Sequence, residues 1–285
     1  MKIQKHKITV PKAIIYLALI ILSLTMILPF WHILMYSFSP GADAAKSHFM
    51  FWPQGFGFEG YRQIFSNDLI LTGYWNTIQV TVIGTVLSVG LTMMAAYGLS
   101  KKDLPFRGFF TTFIFITMIF GGGLIAQYYT VKSVGLIDTI ASMYVPRLVN
   151  GFYLIIMRNF FEEIPPSLEE SAKLDGANDV KIFARIIIPL SMPLISTMIL
   201  FHAVEYWNSW YDALLYINVS EKQPLQLLLR GMLVQQNLSQ FGTFLPSMAE
   251  VVKMVAVVIT TLPILLVYPF LQKYFIKGVM IGAIK

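Results

Sequence analysis

The sequence predicts an all-α, polytopic membrane protein with six transmembrane helices and both termini in the cytoplasm. Of its 285 residues, 56% are hydrophobic and only 13% are charged, whereas ordinary soluble domains carry roughly 25% charged residues. Six apolar runs are long enough for a membrane helix, which needs about 20 mostly apolar residues. The cationic residues are distributed unequally between the connections. These observations exclude disorder, a coiled coil and a nucleic-acid-binding arm.

Hydropathy along the chain gives the limits of the predicted spans. They are Ala13–Phe38, Thr77–Leu99, Phe109–Thr130, Asp138–Phe160, Ile186–Ala203 and Ser247–Leu271. The first could instead be a signal peptide, because four lysines precede it. Its apolar run is nearly twice the roughly 7–15 residues of a signal-peptide core, so we predict an uncleaved helix. The fourth span is interrupted by Pro146, Arg147, Asn150 and Gly151.

The cations predict which side of the membrane each connection faces. With the N-terminus inside, 14 of the 21 Lys and Arg residues fall in cytoplasmic segments, as the positive-inside rule expects. The predicted organisation is a cytoplasmic segment at 1–12, a transmembrane domain at 13–271 and a cytoplasmic tail at 272–285. The absence of cysteine excludes a disulfide framework, an iron–sulfur cluster and a thiolate zinc site.

One cytoplasmic connection, at about 161–190, is long and has helix-capping signals. Ser167 with a glutamate three residues later predicts a capping box. Gly176 is expected just past the end of the helix, where a left-handed conformation costs glycine nothing. The prediction is therefore a short helix at Leu168–Asp175, followed by a second helix that Asp179 caps.

The same connection carries a spaced motif. It consists of Glu170-Ser171-Ala172, then Gly176 six residues after the glutamate, then Pro189 thirteen residues after the glycine. In this pattern the chain resembles the EAA loop of bacterial ATP-binding-cassette (ABC) importer permeases, with Ser171 replacing an alanine of the motif. The resemblance implies a type I ABC importer transmembrane domain whose loop docks on a separate ATPase subunit. The residues that it assigns to this coupling loop are Glu169, Glu170, Ser171, Ala172, Leu174, Asp175, Gly176 and Ala177.

Other stretches are similar to maltose-importer-like carbohydrate permeases, specifically to the second permease of such systems. They are Trp207-Asn208, Pro224-Leu225 and the tail Gln272–Gly282. The stretches Gly121–Ile125 and Trp207–Trp210 resemble a subgroup that handles complex or acidic oligosaccharides, including alginate and pectin-fragment importers. The resemblance implies uptake of an oligosaccharide, with an acidic one such as alginate or an oligouronide as the narrower expectation.

The resemblance also implies partners and a location. It implies a second homologous permease, two copies of a cytoplasmic ATPase subunit, an extracytoplasmic sugar-binding protein and membrane lipid, in the bacterial cytoplasmic (inner) membrane. The chain has no G-x-x-x-x-G-K-[ST] phosphate loop and no Gly-Lys dipeptide, so we expect no nucleotide site on it. ATP and Mg are therefore expected on the ATPase subunits, with no cofactor on this chain.

Polar and aromatic side chains in or near the spans are candidates for the sugar path, because polar groups in a membrane usually face a cavity or a partner. They are Gln127, Tyr128, Arg147, Asn150, Tyr206, Trp207, Asn208 and Trp210. Arg147 has open alternatives, namely contact with an anionic sugar, pairing with a nearby carboxylate, or snorkelling to headgroups. The triplet Gly121–Gly123 predicts either a broken helix or close helix packing, and we favour close packing.

Two other classes of protein are alternatives. A self-contained secondary transporter or channel is expected to show intramembrane Asp, Glu or His relays or an internal repeat, and the sequence shows neither. A membrane-embedded enzyme needs a catalytic cluster, but the four histidines form no H-E-x-x-H pair and no G-x-S-x-G motif occurs. We therefore expect a transport subunit with no catalytic residue and no metal site.

Overall fold

A computed structural model gives the structure of the chain and describes residues 10–41, 50–53, 55–234 and 246–283. Most of the predicted segment at 1–12 lies outside these residues. The helices are α1 (Val10–Ser37), α2 (Glu59–Phe65), α3 (Asp68–Ser100), α4 (Arg107–Ile119), α5 (Gly123–Ser133), α6 (Gly151–Glu162), α7 (Pro166–Leu174), α8 (Asp179–Leu190), α9 (Met192–Trp207), α10 (Tyr211–Tyr216), α11 (Leu225–Leu233) and α12 (Pro246–Ala283). Short 3₁₀ turns lie at Ile140–Met143, Val145–Arg147 and Ser220–Lys222. No strand occurs in the described ranges.

Within the described residues, six candidate membrane crossings result when each bent helix pair is counted as one span. Helices α1 and α3 are long and apolar enough alone, as is the part of α12 at Met248–Val267. The other crossings are α4 with α5, bent by 115°, Ile140–Arg147 with α6, bent by 50°, and α8 with α9, bent by 82°. Each predicted span therefore coincides with a helix or a helix pair, but the third, fourth and fifth are bent rather than continuous.

The chain divides into two compact units, one comprising 1–67 and 232–261, the other 68–231 and 262–285. In the first unit, side chains of α1 hold the segments that follow it. The Trp31 indole donates to the Phe51 carbonyl at 2.9 Å, and the Ser37 and Tyr61 hydroxyls lie 2.7 Å apart. Most of the apolar surface of α1 is exposed in the described chain, as expected of a helix whose solvent includes lipid.

The core of the second unit forms where α3 packs against α6 and α9, its most extensive neighbours. Near the end of α3, Tyr97 lies between Phe161 and Phe183, with ring centroids 6.4 and 4.9 Å away. Earlier in α3, the absence of a side chain at Gly84 leaves room for the ring of Tyr206, because a Cβ there would lie only 2.9 Å from the ring. These contacts make α3 the central helix of the unit.

The capping predictions in the long loop that is predicted to be cytoplasmic were partly wrong. Helix α7 begins at Pro166, after Pro165, and no side chain caps it. Proline suits the first helical position because its missing N–H has no partner there in any helix, so the predicted capping box does not form. Asn178, and not Asp179, caps α8, its side chain accepting from the Lys181 amide at 2.9 Å. Gly176 has a φ of 77° just after α7, as predicted.

The glycine triplet breaks a helix, so our preference for close packing was wrong. Gly123 has a φ of 75° at the start of α5, directly after the 115° bend. A Cβ on Gly121 or Gly123 meets no atom of the described residues within 4 Å. Gly123 is therefore used for backbone conformation, since L side chains rarely adopt a positive φ.

Candidate functional site

The predicted coupling loop presents two different surfaces around α7. Ala172 and Ala177 pack on the buried cluster formed by α3, α6, α8 and α9. The opposite face is exposed to solvent and includes Glu170 and Asp175. Leu174 lies on this face with 90% of its surface exposed. The helix therefore offers a strongly projecting apolar side chain, Leu174, beside carboxylates, and Leu168 is 42% exposed as well. Ala172 and the following Ala177 attach it to the membrane helices.

Glu169 differs from the other predicted coupling residues, because it pairs within the chain. Its carboxylate binds the Lys101 ammonium, and both side chains are partly buried. The ammonium also lies 4.1 Å from the ring centroid of Tyr97. Partial burial lowers the pKa of Lys101, but hydrogen bonds to Glu169 and Tyr97 outweigh this effect and leave the pKa above its usual value. The lysine therefore keeps its charge.

A second ionic cluster lies beside the first. The Arg107 guanidinium binds the Glu162 carboxylate, which also accepts from Arg158 Nε at 2.8 Å. Arg107 Nε donates in addition to the Leu99 carbonyl at 2.9 Å. The sequence assigned these cations only to the cytoplasmic side of the membrane. Arg158 and Glu162 form a local i,i+4 pair, whereas the pairs of Arg107 with Glu162 and of Lys101 with Glu169 join residues 55 and 68 positions apart, which no local pattern reveals.

The structure places Arg147 in a paired arrangement. Its Nε lies 2.9 Å from Asp212 Oδ2, and its Nη1 lies 3.6 Å from Glu205 Oε1. The Asp212 side chain is only 4% exposed, and Ser209 Oγ donates to it at 3.3 Å. Burial raises the pKa of the Asp212 carboxyl, although Arg147 opposes this rise. Of the open alternatives, pairing with a nearby carboxylate is the one observed.

Two neighbouring clefts contain some of the predicted path residues. One has a volume of about 490 Å³ and is lined by Arg147, Asn150 and Glu205 among others. The other has a volume of about 800 Å³ and is lined by Gln127, Tyr211 and the glycine triplet. Thr117 and Pro146 line both. Sequence reasoning missed Glu205 and Tyr211 as lining residues, although both lie close to the predicted aromatic group at 206–210.

Asn150 has a structural task as well as a place in the first cleft. Its side-chain oxygen accepts from the amides of Phe152 and Tyr153, at 2.9 and 3.4 Å. These bonds cap α6 and satisfy two amides at its N-terminus, which have no partner within the helix. Only the amide nitrogen of the side chain remains for another contact.

The remaining path candidates are engaged in contacts within the chain. The Tyr128 and Tyr216 rings stack with centroids 6.3 Å apart, and the Tyr206 hydroxyl lies 2.7 Å from Ser88 Oγ. Trp207 lines an apolar groove with Pro263. The Asn208 side-chain amide donates to the Val204 carbonyl at 2.9 Å. The Trp210 ring centroid lies 3.9 Å from Cζ of the Arg230 guanidinium. Tyr206 and Trp207 are buried, so the structure does not gather the eight candidates into one site.

Comparison with known proteins identifies the family. Residues 9–281 match the family described as binding-protein-dependent transport system inner membrane component. The chain belongs to this family. It is therefore a membrane permease component of a transport system that works with a binding protein.

Relatives of known name support the same family. The chain is 43% identical to the polygalacturonan/rhamnogalacturonan transport system permease protein YtcP of Bacillus subtilis, over 95% of this chain and 97% of the relative. It is 41% identical to protein LplC of the same organism, over 91% of this chain and 89% of the relative. The near-complete coverage in both directions indicates a shared architecture along the whole chain.

Solved structures confirm the predicted fold. One chain from a bacterial ABC transporter involved in the import of the acidic polysaccharide alginate matches with a TM-score of 0.86 and 31% identity, covering 96% of this chain and 100% of that one. A chain from a bacterial alginate ABC transporter in complex with an alginate pentasaccharide-bound periplasmic protein has a TM-score of 0.59 at 14% identity, covering 92% of this chain and 93% of that one. The second match shows the fold alone. The chain has the helical fold of an ABC importer permease.

Proposed function

We propose that this chain forms half of the membrane pathway of an ABC importer for an acidic oligosaccharide. A second homologous permease completes the pathway, two ATPase subunits bind ATP and Mg in the cytoplasm, and an extracytoplasmic binding protein delivers the sugar. The chain carries no ATPase site or cofactor of its own. It is a multi-pass protein of the bacterial inner membrane with both termini in the cytoplasm.

The observation that carries the ATPase contact is the exposed face of α7. Leu174 is 90% exposed on a nine-residue helix that the cation distribution places in the cytoplasm. Burial of an exposed leucine side chain by a partner is favourable by roughly 1.5–3 kcal/mol. The flanking Glu170 and Asp175 suit a rim that stays hydrated. We therefore assign docking to Glu170, Ser171, Leu174 and Asp175, with Ala172, Gly176 and Ala177 shaping the loop.

The mechanism that this arrangement supports is a two-state change of the membrane helices. ATP binding closes the ATPase pair, and α7 moves with it as a rigid element. The membrane cavity then opens outward and receives sugar from the binding protein, and ATP hydrolysis resets the cycle. The energy for transport comes in this way from another polypeptide.

The sugar class is proposed from the relatives. One relative is named for the transport of polygalacturonan and rhamnogalacturonan, and the related structure with 31% identity comes from a transporter involved in alginate import. The first cleft does not supply an unpaired cation for such a sugar, because the Arg147 guanidinium faces the carboxyl groups of Glu205 and Asp212. Selection of the acidic sugar is therefore assigned mainly to the binding protein.

Substitution of Leu174 tests the ATPase contact. We expect Leu174→Asp to abolish co-purification of the ATPase subunits, because a carboxylate cannot be buried in an apolar cleft without a partner. Val180→Asp is the matched control, since Val180 is also apolar and 74% exposed but lies outside α7. If Leu174→Asp retains the ATPase subunits at the wild-type ratio, the proposed contact is wrong.

Uptake into proteoliposomes tests the sugar class. The complete complex with its binding protein is supplied with ATP inside the vesicles and with either oligogalacturonate or a neutral maltodextrin outside. We expect ATP-dependent uptake of the oligogalacturonate only. Preference for maltodextrin contradicts the acidic substrate and leaves the importer assignment intact, whereas gradient-driven uptake by the chain alone contradicts the importer assignment itself.

A further inference from the structure

Helix α3 reaches from the coupling loop to the opposite end of the second unit. It contains 33 residues and is therefore about 50 Å long at 1.5 Å per residue. It packs along its length against α6 and α9, and no proline interrupts it. A long helix without a break that moves as a rigid element displaces both of its ends together.

At its inner end, α3 is fastened to the coupling loop. Lys101 is the first residue after α3, and its ammonium binds Glu169 on α7. Tyr97, one turn earlier, lies beneath this ammonium and packs on Phe161 and Phe183. Two apolar contacts of the α7 region, through Ala172 and Ala177, reach the same buried cluster. The ion pair joins α7 directly to the end of α3, whereas the two alanines pack on a cluster that several helices share.

At its outer end, α3 is fastened to the segment 221–228. The Asn76 amide donates to the carbonyls of Glu221 and Gln223 at 2.8 and 3.2 Å. The Leu225 amide donates to Thr77 Oγ1 at 2.8 Å. A Cβ at Gly73 would lie 2.6 Å from Leu228 Cδ1, so the two segments touch. These bonds use backbone groups of the outer segment, which therefore follows the position of α3.

We propose that Lys101 and Glu169 are positioning residues that fasten α7 to α3, so that ATP-driven movement of α7 is carried along α3 to the outer segment 221–228. The inference rests on the proposed contact between α7 and the ATPase. It separates Glu169 from Glu170, because Glu169 acts through Lys101 of its own chain and Glu170 faces the partner. It also connects the outer segment 221–228 to the ATPase subunits through α3 and α7.

A single-cysteine reporter measures this connection, since the chain contains no cysteine. Glu221→Cys places an environment-sensitive bimane label at an exposed position of the outer segment. The complete complex in nanodiscs is compared with and without ATP and orthovanadate, so no sugar is needed. We expect the nucleotide to shift bimane emission in the parent complex.

Charge reversal and charge exchange then test the pair. We expect Glu169→Lys and Lys101→Glu each to abolish most of the nucleotide-induced shift, because each replaces the ion pair by two like charges. The double variant K101E/E169K is expected to restore most of the shift, because it rebuilds the pair with the charges exchanged. Lys102→Glu is the matched control and is expected to leave the shift unchanged, since Lys102 is exposed.

The outcomes separate this inference from the proposed function. If the parent complex fails to retain the ATPase subunits, the proposed docking of α7 is wrong. If the complex is assembled but the single reversals retain the shift, or K101E/E169K fails to restore it, the connection through Lys101 and Glu169 is overturned. Should Glu169→Lys impair assembly, Glu169→Gln gives the same comparison with a smaller perturbation, and a retained shift overturns the proposal equally.

Discussion

The coupling loop and the cleft around Arg147 use charged residues in opposite ways. In the loop, Glu170 and Asp175 project into solvent. In the cleft, Arg147 is paired with Asp212, whose carboxylate is almost fully buried. A charge in water needs no partner, whereas a charge removed from water is costly unless it is paired. Exposure therefore makes a polar residue available to another molecule, while burial commits it to its own chain.

Removal of the Arg147 guanidinium is expected to have the largest effect on the stability of this chain. Arg147→Ala leaves the Asp212 carboxyl buried without its cation, and we expect a loss of about 2 kcal/mol in the free energy of unfolding. The double variant Arg147→Gln with Asp212→Asn is expected to lose less, because no charge then remains buried. Unfolding of the purified chain in detergent, followed by tryptophan fluorescence, measures both.

The same variant contradicts the contrast between the loop and the cleft if Arg147 contacts the sugar. In that case Arg147→Ala keeps the stability of the wild-type chain but lowers uptake of oligogalacturonate relative to maltodextrin. The cleft residue would then be available to another molecule, as the exposed residues of the coupling loop are. Arg147→Lys retains a cation near Asp212 and is the control for charge alone.

A smaller effect is expected at the cap of α8, in the exposed region. Asn178→Ala removes the oxygen that accepts from the Lys181 amide, and loss of such a cap costs about 1 kcal/mol. Asp179→Ala is expected to cost less than about 0.5 kcal/mol, because its pair with Lys173 is exposed. Equal losses for the two variants in the same unfolding measurement would show that Asp179 shares the capping role.

The smallest effect on stability is expected for Glu205→Gln, which tests whether the two carboxylates that face Arg147 contribute equally. Glu205 lies 3.6 Å from Arg147, and both side chains are more than one-third exposed. We expect a change in the free energy of unfolding below about 0.5 kcal/mol, as for other exposed pairs. A loss as large as that of Arg147→Ala would mean that the two carboxylates are equivalent, contrary to their different burial.

The sequence predicted more of the coupling loop than of the cleft. A short amphipathic helix and the glycine after it are local features, so α7 and the positive φ of Gly176 followed from spacing. The caps were less predictable, because proline, serine, asparagine and aspartate all suit helix N-termini. The pairing of Arg147 with Asp212 joins residues far apart in the chain, and only one of the two was a candidate. Nothing in a local pattern selects such a partner.

Consecutive residues were enough to predict that the chain crosses the membrane, where its crossings lie and which family it resembles, because hydropathy and motif spacing are local properties. The tertiary structure decided which polar groups are available. It paired Glu169 with Lys101 and Arg147 with Asp212, and it left Leu174 exposed. The physical reason is that burial depends on which helices meet, and burial decides whether a charged or apolar side chain is satisfied by its own chain or by another molecule.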